Sequence, residues 1–406
     1  MNKLQKKIAS AIAASALLLN TMPGVALAVS CTISSNGSET VNTCDFTTSR
    51  EVDVDQNNDL DVDNDVDIHA GTGRNEAEDN TGGDVEINTG DVTGDVKVTT
   101  EGNTNAASIA GTGSNHNFDL TIEDNGADSD NKIDVDVTDD VDVDQDNDSD
   151  VDNDVDVEGY TGRNEAEDNT GGSVKITSGD VDSGVEIATA VNANSAFIGG
   201  GDDQGTFSAM IKGNGSDTDN DVELTLWSEA DVDQDNDSDV DNDVDVEGYT
   251  GRNEAEDNTG GDNEIKTGDV DVDVKVDTTG NFNQADVTGG FYFGDVELKI
   301  AENGNESDSD IDLDLTDKVD VDQDNDLDVD NEDVDVSAGT GKNELEDNTI
   351  GDGDDPAIET GDIDSSVELS TSGNANVFGG DQEVEVSFDM SELMSLLHAL
   401  SALLGL

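Results

Sequence analysis

From Asp142 to Glu158 a carboxylate stands at every second residue: Asp142, Asp144, Asp146, Asp148, Asp150, Asp152 and Asp154, then Asp156 and Glu158. A second such stretch holds Asp231, Asp233, Asp235, Asp237, Asp239, Asp241 and Asp243. In an extended chain, alternate side chains leave the same face about 6.8 Å apart. Such a row offers only hard oxygen ligands. They suit Ca²⁺, which accepts roughly six to eight oxygens in flexible geometry. The aspartates from Asp142 to Asp154 and from Asp231 to Asp243 are the candidate metal ligands, and calcium is the expected ion. The EF-hand pattern is not met, because Asp144-Gln145-Asp146-Asn147-Asp148-Ser149 has Ser where that loop needs Gly, and Glu158 falls out of step. The turn Asp124-Asn125-Gly126-Ala127-Asp128-Ser129-Asp130 is a looser candidate, echoed at Asp217-Thr218-Asp219 and Asp308-Ser309-Asp310. Two alternatives stand beside calcium: a solvated face suited to high salt, without specific sites, and an acidic template for a mineral.

Repulsion gives the rows an energetic consequence. Carboxylates 6.8 Å apart repel by about 0.6 kcal/mol even at the dielectric of water. Rows on adjacent strands, about 4.8 Å away, add to this. Whole domains are stable by only about 5 to 15 kcal/mol. The fold is therefore expected to need bound or concentrated cations.

Other chemistries find no residues to carry them. There are 101 acidic against 16 basic residues, a formal charge of -85, which excludes nucleic acid as a partner because phosphate binding needs Lys and Arg. No nucleophile motif, phosphate loop or zinc spacing occurs. His69, His116 and His398 have no partner constellation in the sequence. The chain is read as a protein that is not an enzyme.

The elements that must position the aspartates are strands, since the apolar period is two. Ile133, Val135, Val137, Val141, Val143, Gln145, Asn147, Ser149, Val151, Asn153, Val155 and Val157 share one parity, opposite the carboxylates. With 32% hydrophobic and 3% aromatic residues the composition alone would suggest disorder. The phase of the pattern argues against it, because it holds through a repeat of 89 residues. Asn36-Gly37, Asn125-Gly126, Asn214-Gly215 and Asn303-Gly304 mark that repeat, as do Gln56, Gln145, Gln234 and Gln323. The GRNEAEDN runs at Gly73, Gly162 and Gly251 obey it. The run GKNELEDN from Gly341 is displaced by one residue, which Glu332 explains as an insertion.

Strands usually span roughly 3 to 10 residues, so the alternating run is expected to turn corners at Thr138-Asp139-Asp140 and Asp148-Ser149. Further turns are read at Tyr160-Thr161-Gly162, Asn169-Thr170-Gly171-Gly172 and Ser178-Gly179-Asp180. The fold class is all-β, a tandem-repeat β-solenoid-like stack of short strands in which inward Asn and Gln pair with their copies in neighbouring coils. Tandem β-sandwich domains are the alternative. The organisation is read as a signal peptide at 1–28, repeats at 29–119, 120–208, 209–297 and 298–388, and a C-terminal amphipathic helix at 389–406.

The termini carry their own signals. Lys3, Lys6 and Lys7, the apolar stretch Ile8 to Leu19 and Ala26-Leu27-Ala28 form a secretory signal, so the mature chain is expected to begin at Val29 and to be secreted, extracellular or at the cell surface. Ala28-Val29-Ser30-Cys31 resembles a lipoprotein box only loosely, with Ala where Leu is wanted. Cys31 and Cys44 replace an apolar pair of the repeat and are expected to form a disulfide across a hairpin closed by Asn36-Gly37-Ser38-Glu39. At the other end Asp389 and Glu392 form a capping box before Met394, Leu396, Leu397, Leu400, Leu403 and Leu404. That helix would be too short to span a bilayer comfortably. It is read as a cap on the last repeat, an oligomerisation helix or the one segment able to touch a membrane.

The runs Gly162-Arg163-Asn164-Glu165-Ala166-Glu167-Asp168-Asn169-Thr170-Gly171-Gly172 and Ile87-Asn88-Thr89-Gly90-Asp91 resemble the NTGG and IxTGD signatures of uncharacterised secreted bacterial Asn/Thr/Gly-rich tandem-repeat surface proteins. The chain departs from them by carrying Asp where they often carry Asn or Thr. The resemblance implies export and a surface role, and no reaction. The expected function is a structural surface or matrix component stabilised by cations, with self-association or cell-surface components as further partners. Its rivals are a halophilic surface protein without specific sites and an adhesin-like module. The adhesin would present loops from Phe197 to Phe207 and from Phe282 to Phe293.

Overall fold

The computed structural model describes residues 20–22, 28–109, 117–199, 205–288, 293–349 and 356–379. A short β1 (Asn20–Met22) precedes four coils. Coil 1 holds β2 (Ala28–Ser34), β3 (Val41–Gly71), β4 (Glu76–Glu78), β5 (Val85–Asn88) and β6 (Val92–Ile109). Coil 2 repeats the order with β7 (Asn117–Glu123), β8 (Asp130–Tyr160), β9 (Glu165–Glu167), β10 (Val174–Thr177) and β11 (Val181–Gly199). Coil 3 has β12 (Gly205–Lys212), β13 (Asp219–Tyr249), β14 (Glu254–Glu256), β15 (Asn263–Lys266) and β16 (Val270–Thr288). In coil 4, β17 (Phe293–Ala301), β18 (Asp308–Asp330), β19 (Val334–Gly339), β20 (Glu344–Glu346), β21 (Ala357–Glu359) and β22 (Ile363–Phe378) complete the set.

Each strand pairs in parallel with its counterpart in the coils before and after, so Val143 aligns with Val54 and Val232. Five parallel sheets result, of which the widest runs in the order β18-β13-β8-β3. This is a β-solenoid. Tandem sandwiches are overturned, because the hydrogen-bonded neighbours of a strand come from successive repeats and not from its own.

The expected corners at Thr138-Asp139-Asp140 and Asp148-Ser149 do not exist. β8 is one strand of 31 residues, about 100 Å long at the usual rise. Two features support this length. Identical strands pair with it on both sides, and other strands of the stack cover its inward face from end to end. Ile133, Val135 and Val137 pack on Phe118, Leu120 and Ile122 of β7. Farther along, Val141 and Val143 meet Ala196 and Ile198 of β11, Val151 meets Val191, and Val155 and Val157 meet Val181, Val185 and Ile187. The strand β11 runs back over β8 and changes its inward parity at Asn192, whose φ is 60°. A single left-handed residue inserts this half-twist. Asn adopts this conformation more readily than most residues, and its side chain is held by donating to the backbone carbonyl of Asp237 in the next coil at 2.6 Å.

Inward polar residues make the core possible despite few aromatics. Gln145 donates to Gln56 at 2.7 Å and accepts from Gln234 at 2.7 Å. Asn147 accepts from Asn58 at 2.8 Å and donates to Asn236 at 2.9 Å, while Asn153 links Asn64 and Asn242 at 2.8 Å each. An orphaned buried amide would cost about 1 to 3 kcal/mol, and stacking like on like removes that penalty.

The cysteines pair, but not across a hairpin. Cys31 in β2 and Cys44 in β3 form a disulfide with Cα atoms 6.2 Å apart, yet β2 hydrogen-bonds to β7 and β3 to β8. The bond therefore crosses the core from sheet to sheet, in place of the Leu120 and Ile133 contact of coil 2. Strand register alone does not distinguish a hairpin from two facing sheets joined by an arch. In coil 4 the ladder slips after Asp330, and Val334 then pairs with Val244, as an insertion at Glu332 requires. The expected helix at 389–406 and most of the signal segment lie outside the described residues.

Candidate cation-binding face

Strand parity puts the predicted aspartates on the outer face of the widest sheet, and coil register multiplies them into a lattice. Asp142 aligns with Asp53 and Asp231, Asp144 with Asp55 and Asp233, and Asp148 with Asp59 and Asp237. Asp146, Asp150, Asp152 and Asp154 stand beside Asp235, Asp239, Asp241 and Asp243 in the same way. Coil 4 adds Asp320, Asp322, Asp324 and Asp326 opposite Asp231, Asp233, Asp235 and Asp237. The rows are thus about 6.8 Å apart along the strand and about 4.8 Å between strands. At the shorter spacing the repulsion is about 0.9 kcal/mol per pair at the dielectric of water.

Burial and this crowding together push carboxyls of the inner coils above their ordinary value. Partial burial first, then the charges of Asp231, Asp53 and Asp144, raises Asp142 above its ordinary value of 3.8. Asp146, Asp233, Asp235, Asp237, Asp241 and Asp243 are also raised, by partial burial first and then by neighbouring carboxylates, which for Asp146 are foremost Asp144 and Asp148 of its own strand. The part of each shift that comes from neighbouring carboxylates is what a nearby positive charge would offset.

The few lysines supply such a charge elsewhere on the surface. Lys175 reaches Glu264 in the next coil at 3.0 Å, and Lys212 reaches Glu123 in the previous one at 3.2 Å. Lys132 lies 3.0 Å from both Asp134 and Glu223, and its hydrogen bonds to Glu223 and then Asp134 raise its own pKa. No lysine lies in the predicted aspartate rows from Asp142 to Asp154 or from Asp231 to Asp243.

A different group brings metal-ligand atoms together. Asp67, His69 and Asp156 place one ligand atom each within 4.8 Å of one another, the one such group among the described residues. His69 is not without partners as its sequence context suggested: Nε2 lies 2.9 Å from Asp67 and Nδ1 2.9 Å from Glu158. The signal was the repeat itself, which aligns His69 with Glu158. None of the predicted aspartates belongs to this group.

The proposed aromatic contact loops are also revised. Phe207 and Phe282 are buried, Phe207 stacking on Phe118 with ring centres 5.3 Å apart. The apolar repeat positions drew them inward. Residues 200–204 and 289–292 of those loops, His116 and His398 lie outside the described residues. Comparison with protein-family models, characterised proteins and solved structures finds no match to this chain.

Proposed function

We propose that this protein is a structural component of a cell surface or extracellular matrix, a stack of wide coils held together by cations on its aspartate face. The observation that carries the reading is the register of the aspartates: from Asp142 to Asp154 each rung sets a carboxylate of coil 2 beside one of coil 3, and no lysine stands within those rows. Calcium is the ion we favour, because it can share carboxylates of adjacent coils and fill its remaining positions with water.

A second reading is a coat adapted to high salt. It is favoured by the absence of the predicted aspartates from the one convergent ligand group among the described residues. Circular dichroism and thermal melting in chelator, in millimolar Ca²⁺ and in molar NaCl separate the two. Calcium acting at millimolar concentration supports shared sites, whereas a response to molar NaCl alone supports the halophilic coat. A chain equally stable in metal-free, salt-free buffer refutes both.

A further inference from the structure

Among the described residues the solenoid has two open faces that differ in kind. At inward positions, Leu224 in coil 3 is 0% exposed and its partner Leu313 in coil 4 is 44% exposed; Val274 and Val367 differ likewise, at 1% and 48%. Nothing but the presence of a following coil distinguishes the members of each pair. Among the described residues, the edges of β17, β18, β20, β21 and β22 have no neighbour beyond them. At the opposite end β2, β3, β4 and β5 are likewise open, and β1 covers only Ala107 to Ile109 of β6. β1 lies upstream of Val29, in the segment expected to be removed on export.

The two faces are complementary in hydrogen bonding. Within the chain each ladder Asn donates towards the next coil: Asn36 N–H to Asn125, Asn125 to Asn214 and Asn214 to Asn303, each at 3.0 Å. Coil 4 therefore presents donors, and the Oδ1 of Asn36 on coil 1 is the matching acceptor. The glutamines run in the opposite sense, with Gln323 donating back to Gln234 at 2.6 Å. Gln56 would donate to Gln323 of another copy in the same geometry. Both ladder senses agree on one translation.

Close approach is also provided for. A Cβ on Gly251 would lie 1.9 Å from the carbonyl oxygen of Gly341, and one on Gly162 1.8 Å from that of Gly251. At Gly341 the same Cβ would meet nothing within 4 Å, and at Gly37 and Gly90 on coil 1 it would also meet nothing. Both ends are thus bare of side chain where backbone must meet backbone.

We propose that coil 4 of one copy receives coil 1 of a second copy, so that the protein stacks head to tail into a filament in which every junction repeats the interface between coils. Because the two faces differ, the contact is heterologous and does not close on itself. The chain beyond Gly379 is a poor substitute: residues 380–406 contain no Asn and one Gln, and cannot continue ladders spread along a face about 100 Å wide. The inference rests on the structural role proposed above and names the partner as this chain itself. Continued aspartate rows make assembly depend on the same ions as the fold.

The test uses the chain from Val29 to Leu406, in the ion condition in which circular dichroism shows it folded. Light scattering and electron microscopy should show filaments that lengthen with protein concentration, with an axial repeat of about 19 Å from four coils. Gly341→Ala should leave the fold unchanged, and its melting equal to that of wild type at dilutions where wild type is monomeric, but prevent filaments of that variant, and Gly37→Ala should do the same from the other end. Added at a small fraction to wild type, either single variant should shorten filaments severalfold by capping, and the double variant should not. Filaments of Gly341→Ala as long as wild type overturn the proposal. So does a folded wild type that stays monomeric, or one that assembles only after removal of residues 380–406, which would make that segment the occupant. A folded monomer leaves the cation reading standing, whereas a chain unfolded in every ion condition removes that reading and stacking with it.

Discussion

Single residues in this fold are judged by what lies one coil away. Gly162 is required because its missing Cβ makes room for the Gly251 carbonyl, with an overlap that only backbone movement could relieve. Gly162→Ala should cost about 3 kcal/mol or more, at the upper end of overpacking effects. Gly341→Ala, with open space around it, should cost no more than about 0.5 kcal/mol. Urea denaturation of the two variants in one ion condition measures the contrast. The buried ladders allow a second test. Asn153→Asp keeps the acceptor for Asn64 but loses the donor to Asn242 and adds a buried charge. It should destabilise by about 3 kcal/mol at pH 7, and most of the loss should return below pH 4 as the carboxyl becomes neutral. Equal losses at both values would show that the charge is not the cause.

At the scale of an element, the long strands β8 and β13 join an interior of paired amides to a repelling exterior. The raised aspartates of β8 and β13 set the sign of the pH dependence. Between the ordinary value of 3.8 and their raised values, the folded chain binds more protons than the unfolded chain. Stability therefore falls as pH rises through that window and is greatest below it. In chelated, low-salt buffer the melting temperature should be higher at pH 4 than at pH 7, the reverse of ordinary acid denaturation, and calcium should narrow the difference. A melt that falls on acidification would contradict this account of the lattice. The broken strand of coil 4 makes another prediction. Deleting Glu332 should merge β18 and β19, restore the register lost after Asp330 and raise the urea midpoint.

For the whole molecule, stability is a sum over coil interfaces, as in other stacked repeats. Among the described residues two of the four coils are terminal and have a neighbouring coil on one side only, and inward positions sealed in coils 2 and 3 are partly exposed in coils 1 and 4. A chain in which residues 117–205 are duplicated gains a coil with two complete interfaces and no new end. It should unfold at higher urea, with a larger dependence on denaturant because more surface is buried. The chain as it stands is wide and shallow, about 100 Å across and about 19 Å along the stacking axis. That proportion makes its ends a large share of its surface, so the proposed stacking of further copies would bury a large fraction of it.

Alternation in the amino-acid sequence, together with the 89-residue recurrence, was enough to determine the strand character, the sides taken by valine and aspartate, and the inward asparagine and glutamine ladders. Each follows from the period-two geometry of an extended chain and the cost of burying an unpaired amide, which are local facts. The tertiary structure decided what lies opposite. Thr138-Asp139-Asp140 suits a corner or a strand equally, and only the cover provided by β7 and β11 makes β8 continuous. Whether Cys31 and Cys44 face each other across a hairpin or across a core was likewise not legible, whereas the neighbours of His69 and the inward turn of Phe207 follow from the 89-residue recurrence once the coils are known to stack in register. These outcomes depend on partners a whole coil away or on an opposing sheet, and spacing along one chain does not encode which sheet a side chain will face.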